Sequence, residues 1–198
     1  MLRTFTLDTN CLIDIAENRS AAEAVRALAE AHAAGRADVA VVAMSASEKQ
    51  QSGRYIHNFG EFRDRLNSLG LGHLKVVLPM MYLDISFLDH CLLSDDAMIK
   101  IEQEIHSILF PTVQFLWQDF CCANGLDPTS NQVTGKWRNC KCDVQAIWSH
   151  VHQRRNVFVT SDGNFHKADK KAGLIALGAG RIEYPKDALS LLPPSDDQ

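Results

Sequence analysis

The sequence predicts an α/β fold in which a mostly parallel sheet of about five strands is covered by helices on both faces. Two observations carry this. Short β-branched or apolar runs alternate along the chain with segments of helical periodicity. The run VAVVA at 39–43 is apolar without interruption, the mark of a strand buried on both faces of a parallel sheet.

Thr4, Phe5 and Thr6 favour extended backbone, so residues 3–7 form the first strand, and Leu12, Ile13 and Ala16 then repeat at helical spacing. Ser20 is placed to cap an alanine-rich helix that reaches Ala34 and stops at Gly35. The strand at 39–43 follows, and Ser45 starts a helix containing Glu48. KVVL at 75–78 reads as a third strand ended by Pro79. Ser94 precedes two acids and the stripe Met98, Ile99, Ile101, Ile105, Ile108, Leu109, a helix with a well-marked start. Pro111 opens a further helix through Phe115, Leu116 and Phe120 to Ala123, and NGLDPTSNQVTGK reads as a loop. Order returns at Asn139, where Val144, Ile147, Trp148 and Val151 form one apolar stripe of an amphipathic helix. It feeds the buried strand of NVFVTSDGNF. A helix over Lys167 to Ala176 and the short strand RIEY complete the alternation, with 191–198 a flexible tail. One domain is expected over 1–190, with 57–138 largely a helical elaboration.

A chain of 198 residues can bury one sizeable core, and 46% hydrophobic with 22% charged residues is the balance of a soluble globular protein, not a disordered one. No run approaches the roughly 18 consecutive apolar residues of a membrane span, and the N-terminus lacks a signal-peptide pattern. The expected location is the cytoplasm, with no membrane partner. Six cysteines are too sparse for a disulfide scaffold, so reduced thiols are expected. The net charge of −4 does not by itself point to nucleic acid.

In an open parallel sheet, groups just beyond the C-terminal strand ends gather in one crevice at the topological switch point. Asp8 follows the first strand, Asp162 follows the fourth, and Glu48 lies in the first turn of the helix after the second. Asp143 begins the helix that feeds the fourth strand and reaches the same edge if that helix packs as an ordinary crossover. Carboxylates crowded together drive protons onto one another unless cations intervene. Hard Mg²⁺ or Mn²⁺ prefers carboxylate oxygen, and one or two such ions beside a phosphodiester activate water and stabilise the leaving oxygen. Asp8, Glu48, Asp143 and Asp162 are therefore the expected catalytic and metal-binding residues, with Mg²⁺ or Mn²⁺ as cofactor. Thr9, Asn10, Thr160 and Ser161 are expected to support them by hydrogen bonds. Arg154, Arg155, His166 and Lys167, with Lys170 and Lys171, are expected beside the crevice, where they can follow a phosphate backbone.

LDTNCLIDIAE, a glutamate at the start of the helix after the second strand, the aspartate of CDVQAIW, and FVTSDGNFH together resemble the ordered acidic motifs of PIN-domain nucleases. The resemblance covers roughly 2–56 and 139–190. It implies a Rossmann-like, three-layer α/β/α fold and metal-dependent endonuclease action on RNA, as in toxin ribonucleases of bacterial toxin–antitoxin pairs. It also implies that Asp8, Glu48, Asp143 and Asp162 are the metal-binding set. An RNA substrate is the expected partner, while an antitoxin-like protein inhibitor and a homodimer stay open. The chain departs from small members of the family in the long stretch between Glu48 and Asp143.

Each acid also has a local explanation. Asp8 can cap the helix after it, Glu48 stands at capping-box spacing from Ser45, Asp143 suits a helix start, and Asp162 suits a turn. Four acids in order on the right elements are more specific than any one. CKC at 140–142 with HVH at 150–152 lacks the spacing of a zinc site. Trp137, read as a loop residue between Lys136 and Arg138, is a candidate for stacking on a base, against a plain core role. The alternative function is a non-catalytic PIN-like module that binds RNA or protein. A phosphatase with an aspartate nucleophile is disfavoured by Asn10, and no G-x-G-x-x-G follows the first strand.

Overall fold

The computed structural model describes residues 2–46, 58–82, 85–129, 133 and 135–194. Its strands are β1 (Thr4–Leu7), β2 (Asp38–Val42), β3 (Lys75–Val77), β4 (Val157–Val159) and β5 (Arg181–Glu183). They form one sheet in the order β3-β2-β1-β4-β5, with every pairing parallel. Eight α-helices among the described residues surround it: α1 (Thr9–Ala16), α2 (Ala22–Ala33), α3 (Phe59–Ser68), α4 (Asp96–Leu109), α5 (Trp117–Asn124), α6 (Gly135–His152), α7 (Ala168–Leu174) and α8 (Pro185–Leu189). The architecture is a three-layer α/β/α sandwich.

Successive strand side chains point to opposite faces, and here both faces are covered. Phe5, Leu7, Val39, Val41, Val157 and Val159 pack beneath α1, α2, α3 and α8, against Leu12, Val25, Leu28, Phe62 and Leu66. On the other face Ala40, Val42, Phe158 and Ile182 meet Ile105, Leu109, Phe120, Ile147, Trp148 and Leu174 of α4 to α7. That double burial is why VAVVA carries no polar residue.

Several helix boundaries differ from expectation. Ser20 does not cap α2, whose N-cap position is Ala21 without a side-chain bond. Asp95, not Ser94, caps α4, accepting from the Met98 N–H at 2.8 Å. Pro111 opens a turn instead of a helix, and α5 begins only at Trp117. The α6 helix starts at Gly135, so Trp137 is helical and 4% exposed, with its indole N–H donating to the Gln114 carbonyl at 3.1 Å. The base-stacking reading of Trp137 gives way to the core one. After β2 the chain makes a single 3₁₀ turn, Ala43–Ala46, and the expected helix from Ser45 through Glu48 lies outside the described residues beyond Ala46. The helix α8, absent from the sequence reading, follows β5, and Leu191 and Leu192 after it pack on the core.

Within 57–138, α3 and β3 belong to the sandwich itself. Helix α4 of the same stretch is fastened to α6 by a buried ion pair. Lys141 and Glu102, each 1% exposed in their side chains, meet at 2.9 Å. The Glu102 carboxylate also accepts from the Tyr82 hydroxyl at 2.7 Å and from Gln145 Nε2 at 2.9 Å, and the Lys141 ammonium lies 3.5 Å from the centre of the Phe115 ring. Burial pulls Lys141 downward and the Glu102 charge opposes it.

After α7 the chain makes a π turn, Ile175–Ala179, and reaches β5 through Gly180 at φ 61°. A Cβ there would lie 2.4 Å from the Asn156 carbonyl oxygen, so only glycine fits.

Candidate functional site

The strand order reverses direction at β1: the chain builds outward from β1 through β2 to β3, then returns to lay β4 on the other side. The switch point is the gap between the C-terminal ends of β1 and β4, and Asp8 and Asp162 follow those two ends.

Asp8 is 1% exposed. Its backbone N–H donates to the Val159 carbonyl at 2.9 Å, which locks it to β4. Its Oδ1 accepts from the Thr9 N–H at 2.8 Å, the helix-capping contact at the start of α1. Its Oδ2 accepts from Asn10 Nδ2 at 3.2 Å and from the Thr160 hydroxyl at 2.7 Å. Three of about four lone-pair positions are thus taken, leaving one for a further ligand. Burial raises the proton affinity of the Asp8 carboxyl above the ordinary range, the bonds from Thr160, Asn10 and Thr9 oppose that, and the nearby Asp162 charge adds to it.

Asp162 sits in the polar turn after β4. Its N–H donates to the Thr160 hydroxyl at 3.0 Å, and its Oδ1 accepts from the Asn164 N–H at 2.8 Å. One threonine therefore ties the two aspartates together. Asn10 holds Asp8, and Thr9 contributes its backbone N–H. Ser161 does something different: its hydroxyl donates to Oδ2 of Asp14 at 2.5 Å.

Asp14 was not foreseen. It is 2% exposed on the inner face of α1 beside Cys11 and Ile15, and Arg19 lies 3.8 Å from its Oδ1. An acid at a position whose i−3 and i+1 neighbours are apolar was the available signal. Lys170, expected beside the crevice, is held there by its ammonium donating to Asn164 Oδ1 at 2.7 Å and to the Leu109 carbonyl at 2.5 Å. Burial and then the Lys167 charge lower its proton affinity, while Asp169 and Asp162 oppose them.

Asp143 does not begin a helix; it lies in the middle of α6, half-buried. Burial, then the charge of Asp143, push the thiol of Cys140 up to about 11, while Lys136 and Lys170 act the other way. Lys170 in turn feels the charges of Asp162 and Cys140, whereas Asp143 is not among the charges that act on Asp8. Glu48 lies outside the described residues.

The cationic residues divide. Lys167 stands exposed at the N-cap of α7, on the Asp162 side. His166 is structurally engaged: its Nε2 donates to the Thr160 carbonyl at 3.0 Å and its ring stacks on Tyr184 at 3.6 Å. Arg154 and Arg155 are not at the crevice. They precede β4, at the opposite edge of the sheet, where Arg155 Nη2 donates to the Phe5 and Asp38 carbonyls at 2.8 Å and to Asp38 Oδ1 at 3.0 Å. The reason is topological, since residues at the start of a strand lie at the edge away from its C-terminal crevice.

The donor chemistry of the aspartates suits a hard divalent cation. Among the described residues, no group of three or more histidine, cysteine, aspartate or glutamate side chains is arranged to hold a metal ion. His150 is buried between the Thr6 hydroxyl at 2.8 Å and the Ala179 carbonyl at 2.9 Å, which engages both ring nitrogens, and burial pushes it down to about 4. No helix of the described residues is long and apolar enough to cross a membrane. Compared with family models, with curated proteins and with solved structures, the chain matches none.

Proposed function

We propose that this chain is a divalent-metal-dependent endoribonuclease of PIN-like fold, with Asp8, Glu48, Asp143 and Asp162 as its acidic set. The observation that carries the reading is the buried Asp8 carboxylate at the switch point, joined to Asp162 through Thr160. A buried acid with raised proton affinity beside a second acid is unfavourable when both are ionised, and it persists where function repays the strain. Mg²⁺ or Mn²⁺, when bound, supplies charge stabilisation at phosphoryl oxygens and activation of water. The chain's own residues do the rest. Asp8 gives up its proton to present an anionic oxygen, Thr160 and Asn10 hold that oxygen's orientation, and Asp162, following β4, adds a second negative charge near it.

The test is cleavage of mixed structured and single-stranded RNA, and of DNA, by wild-type protein and by Asp8→Asn in Mg²⁺, Mn²⁺ and EDTA, with product ends mapped. Metal-dependent cleavage of RNA by wild type alone, leaving 5′-phosphate and 3′-hydroxyl ends, is the expected result. Equal cleavage by the variant would remove Asp8 from the site. Absence of cleavage, with no heat of Mn²⁺ binding by calorimetry, would favour a non-catalytic binding module.

A further inference from the structure

The end of the sheet remote from the carboxylates carries the opposite charge. Lys75 begins β3, Arg36 stands just before β2, Arg3 just before β1, Arg154 and Arg155 just before β4, and Arg181 begins β5. The pairings Asp38 N–H to Arg3 carbonyl, Asn156 N–H to Thr4 carbonyl, and Arg181 N–H to Asn156 carbonyl place these starts side by side. With neighbouring strands about 4.8 Å apart, the row from β2 to β5 spans roughly 14 Å. Helix α2 ends at Ala33, three residues before Arg36, and α6 at His152, two before Arg154, and the negative ends of their dipoles favour cations there, which helps the fold tolerate the row.

Not all of this charge is spent internally. Asp38 is shared by Lys75 and Arg155, and Glu183 by Arg181 and Lys171. Arg36 and Arg154 make no ion pair among the described residues. Two open cavities run along the edge and share Asn156: one of about 1020 Å³ bordered by Arg3, Arg36 and Arg181, and one of about 580 Å³ bordered by Arg154 and Arg155. No carboxylate borders either among the described residues. Arg155, 9% exposed in its side chain, also has a buried Nε that finds no hydrogen-bond acceptor among them.

We infer that this edge binds the phosphate backbone of a single-stranded nucleic acid, with Arg36 and Arg154 as free contacts and Arg3 and Arg181 extending the track. Planar arginine forks match phosphate oxygens, and a phosphodiester strand repeats identical anions along a line, as the strand starts repeat cations. The choice of polyanion rests on the nuclease reading above. On that reading the substrate is gripped at the sheet edge opposite the one where it is cut.

The test is a salt titration of fluorescein-labelled poly(U) binding by anisotropy, in EDTA, for wild type and for Arg36→Gln combined with Arg154→Asn. Asparagine tolerates the left-handed backbone at 154, where φ is 49°. At low salt the variant is expected to bind at least about tenfold more weakly, and its slope of log affinity against log salt to be shallower by about 1.4. A variant with the wild-type thermal midpoint and an unchanged slope would overturn the proposal. So would wild-type protein that does not bind poly(U), or that binds poly-glutamate more tightly than poly(U), the mark of an acidic protein partner. Arg3→Gln with Arg181→Gln is a second variant with the same expectation, should the first unfold. Cleavage in Mg²⁺ is scored separately. Arginine-dependent binding by a protein that cuts nothing and shows no heat of Mn²⁺ binding would overturn the nuclease reading and leave this edge standing.

Discussion

The Thr160 hydroxyl donates to Oδ2 of Asp8 at 2.7 Å across the gap between β4 and β1. Because the Thr160 hydroxyl oxygen itself accepts from the Asp162 N–H at 3.0 Å, its proton has one direction to point and the Asp8 carboxylate one orientation to hold. Thr160→Val keeps the shape of the side chain and removes the donor. It is expected to destabilise the fold by about 1–3 kcal/mol in urea denaturation, since a buried acceptor loses its partner. Thr160→Ser should restore most of the loss.

Asp8→Asn is expected to behave oppositely. A carboxyl whose folded proton affinity is raised contributes stability below its ordinary range and loses it as pH rises through the folded value. At neutral pH the ionised Asp8 is therefore a burden, and the variant should melt at the same temperature as wild type or higher. The difference should shrink as the pH is lowered. Added Mn²⁺ should raise the midpoint of wild type and leave that of the variant unmoved.

His150 sets a second pH window. Its folded value of about 4 lies below the ordinary 6.5, so the neutral ring's contribution is complete above 6.5 and is lost as pH falls toward 4. The loss is of order 3 kcal/mol by linkage and should appear in denaturant midpoints measured across that range. His150→Gln should flatten the profile there.

The Lys141–Glu102 pair gives a third test, by double-mutant cycle. Lys141→Met alone leaves a buried carboxylate facing only neutral donors and is expected to cost about 3–5 kcal/mol. Lys141→Met with Glu102→Gln should recover a substantial part of it, because the uncompensated charge is gone. Equal stability of the single and double variants would show that the ion pair does not fasten α4 to α6.

Gly180→Ala combines a φ of 61° with a contact of 2.4 Å to backbone, and neither can relax cheaply. Expression in the insoluble fraction, or a loss of about 2 kcal/mol or more in denaturation, is expected. Gly163, which has open space around its Cβ position and ordinary φ, should accept alanine with little change.

Local chemistry made β1, β2, β4 and the alternation of layers legible. β-branched and apolar runs declare themselves when both faces are buried, and Asp8 and Asp162 could be placed by standing directly after two such runs. The helix starts were less legible. Ser20 and Ser94 are good caps by residue type, yet Ala21 and Asp95 occupy the positions, because packing sets where the first turn begins and a cap adds only about 1 kcal/mol. The α6 start was misread because Gly135 and Lys136 look like loop residues, while Trp137 and Lys141 find their partners far away in the chain, at Gln114, Trp117, Tyr82 and Glu102.

What the sequence by itself determined is the order of the strands, their alternation with helical segments and the presence of an acid after each of two buried strands, since these follow from periodicity and turn chemistry within a few residues. The tertiary structure decided which distant groups share a space. It set Thr160 between Asp8 and Asp162, turned Ser161 toward Asp14, moved Arg154 and Arg155 to the far edge, and buried Lys141 on Glu102. These are contacts between residues far apart in the chain. Strand order and crossover packing create them, and no short window of sequence contains that information.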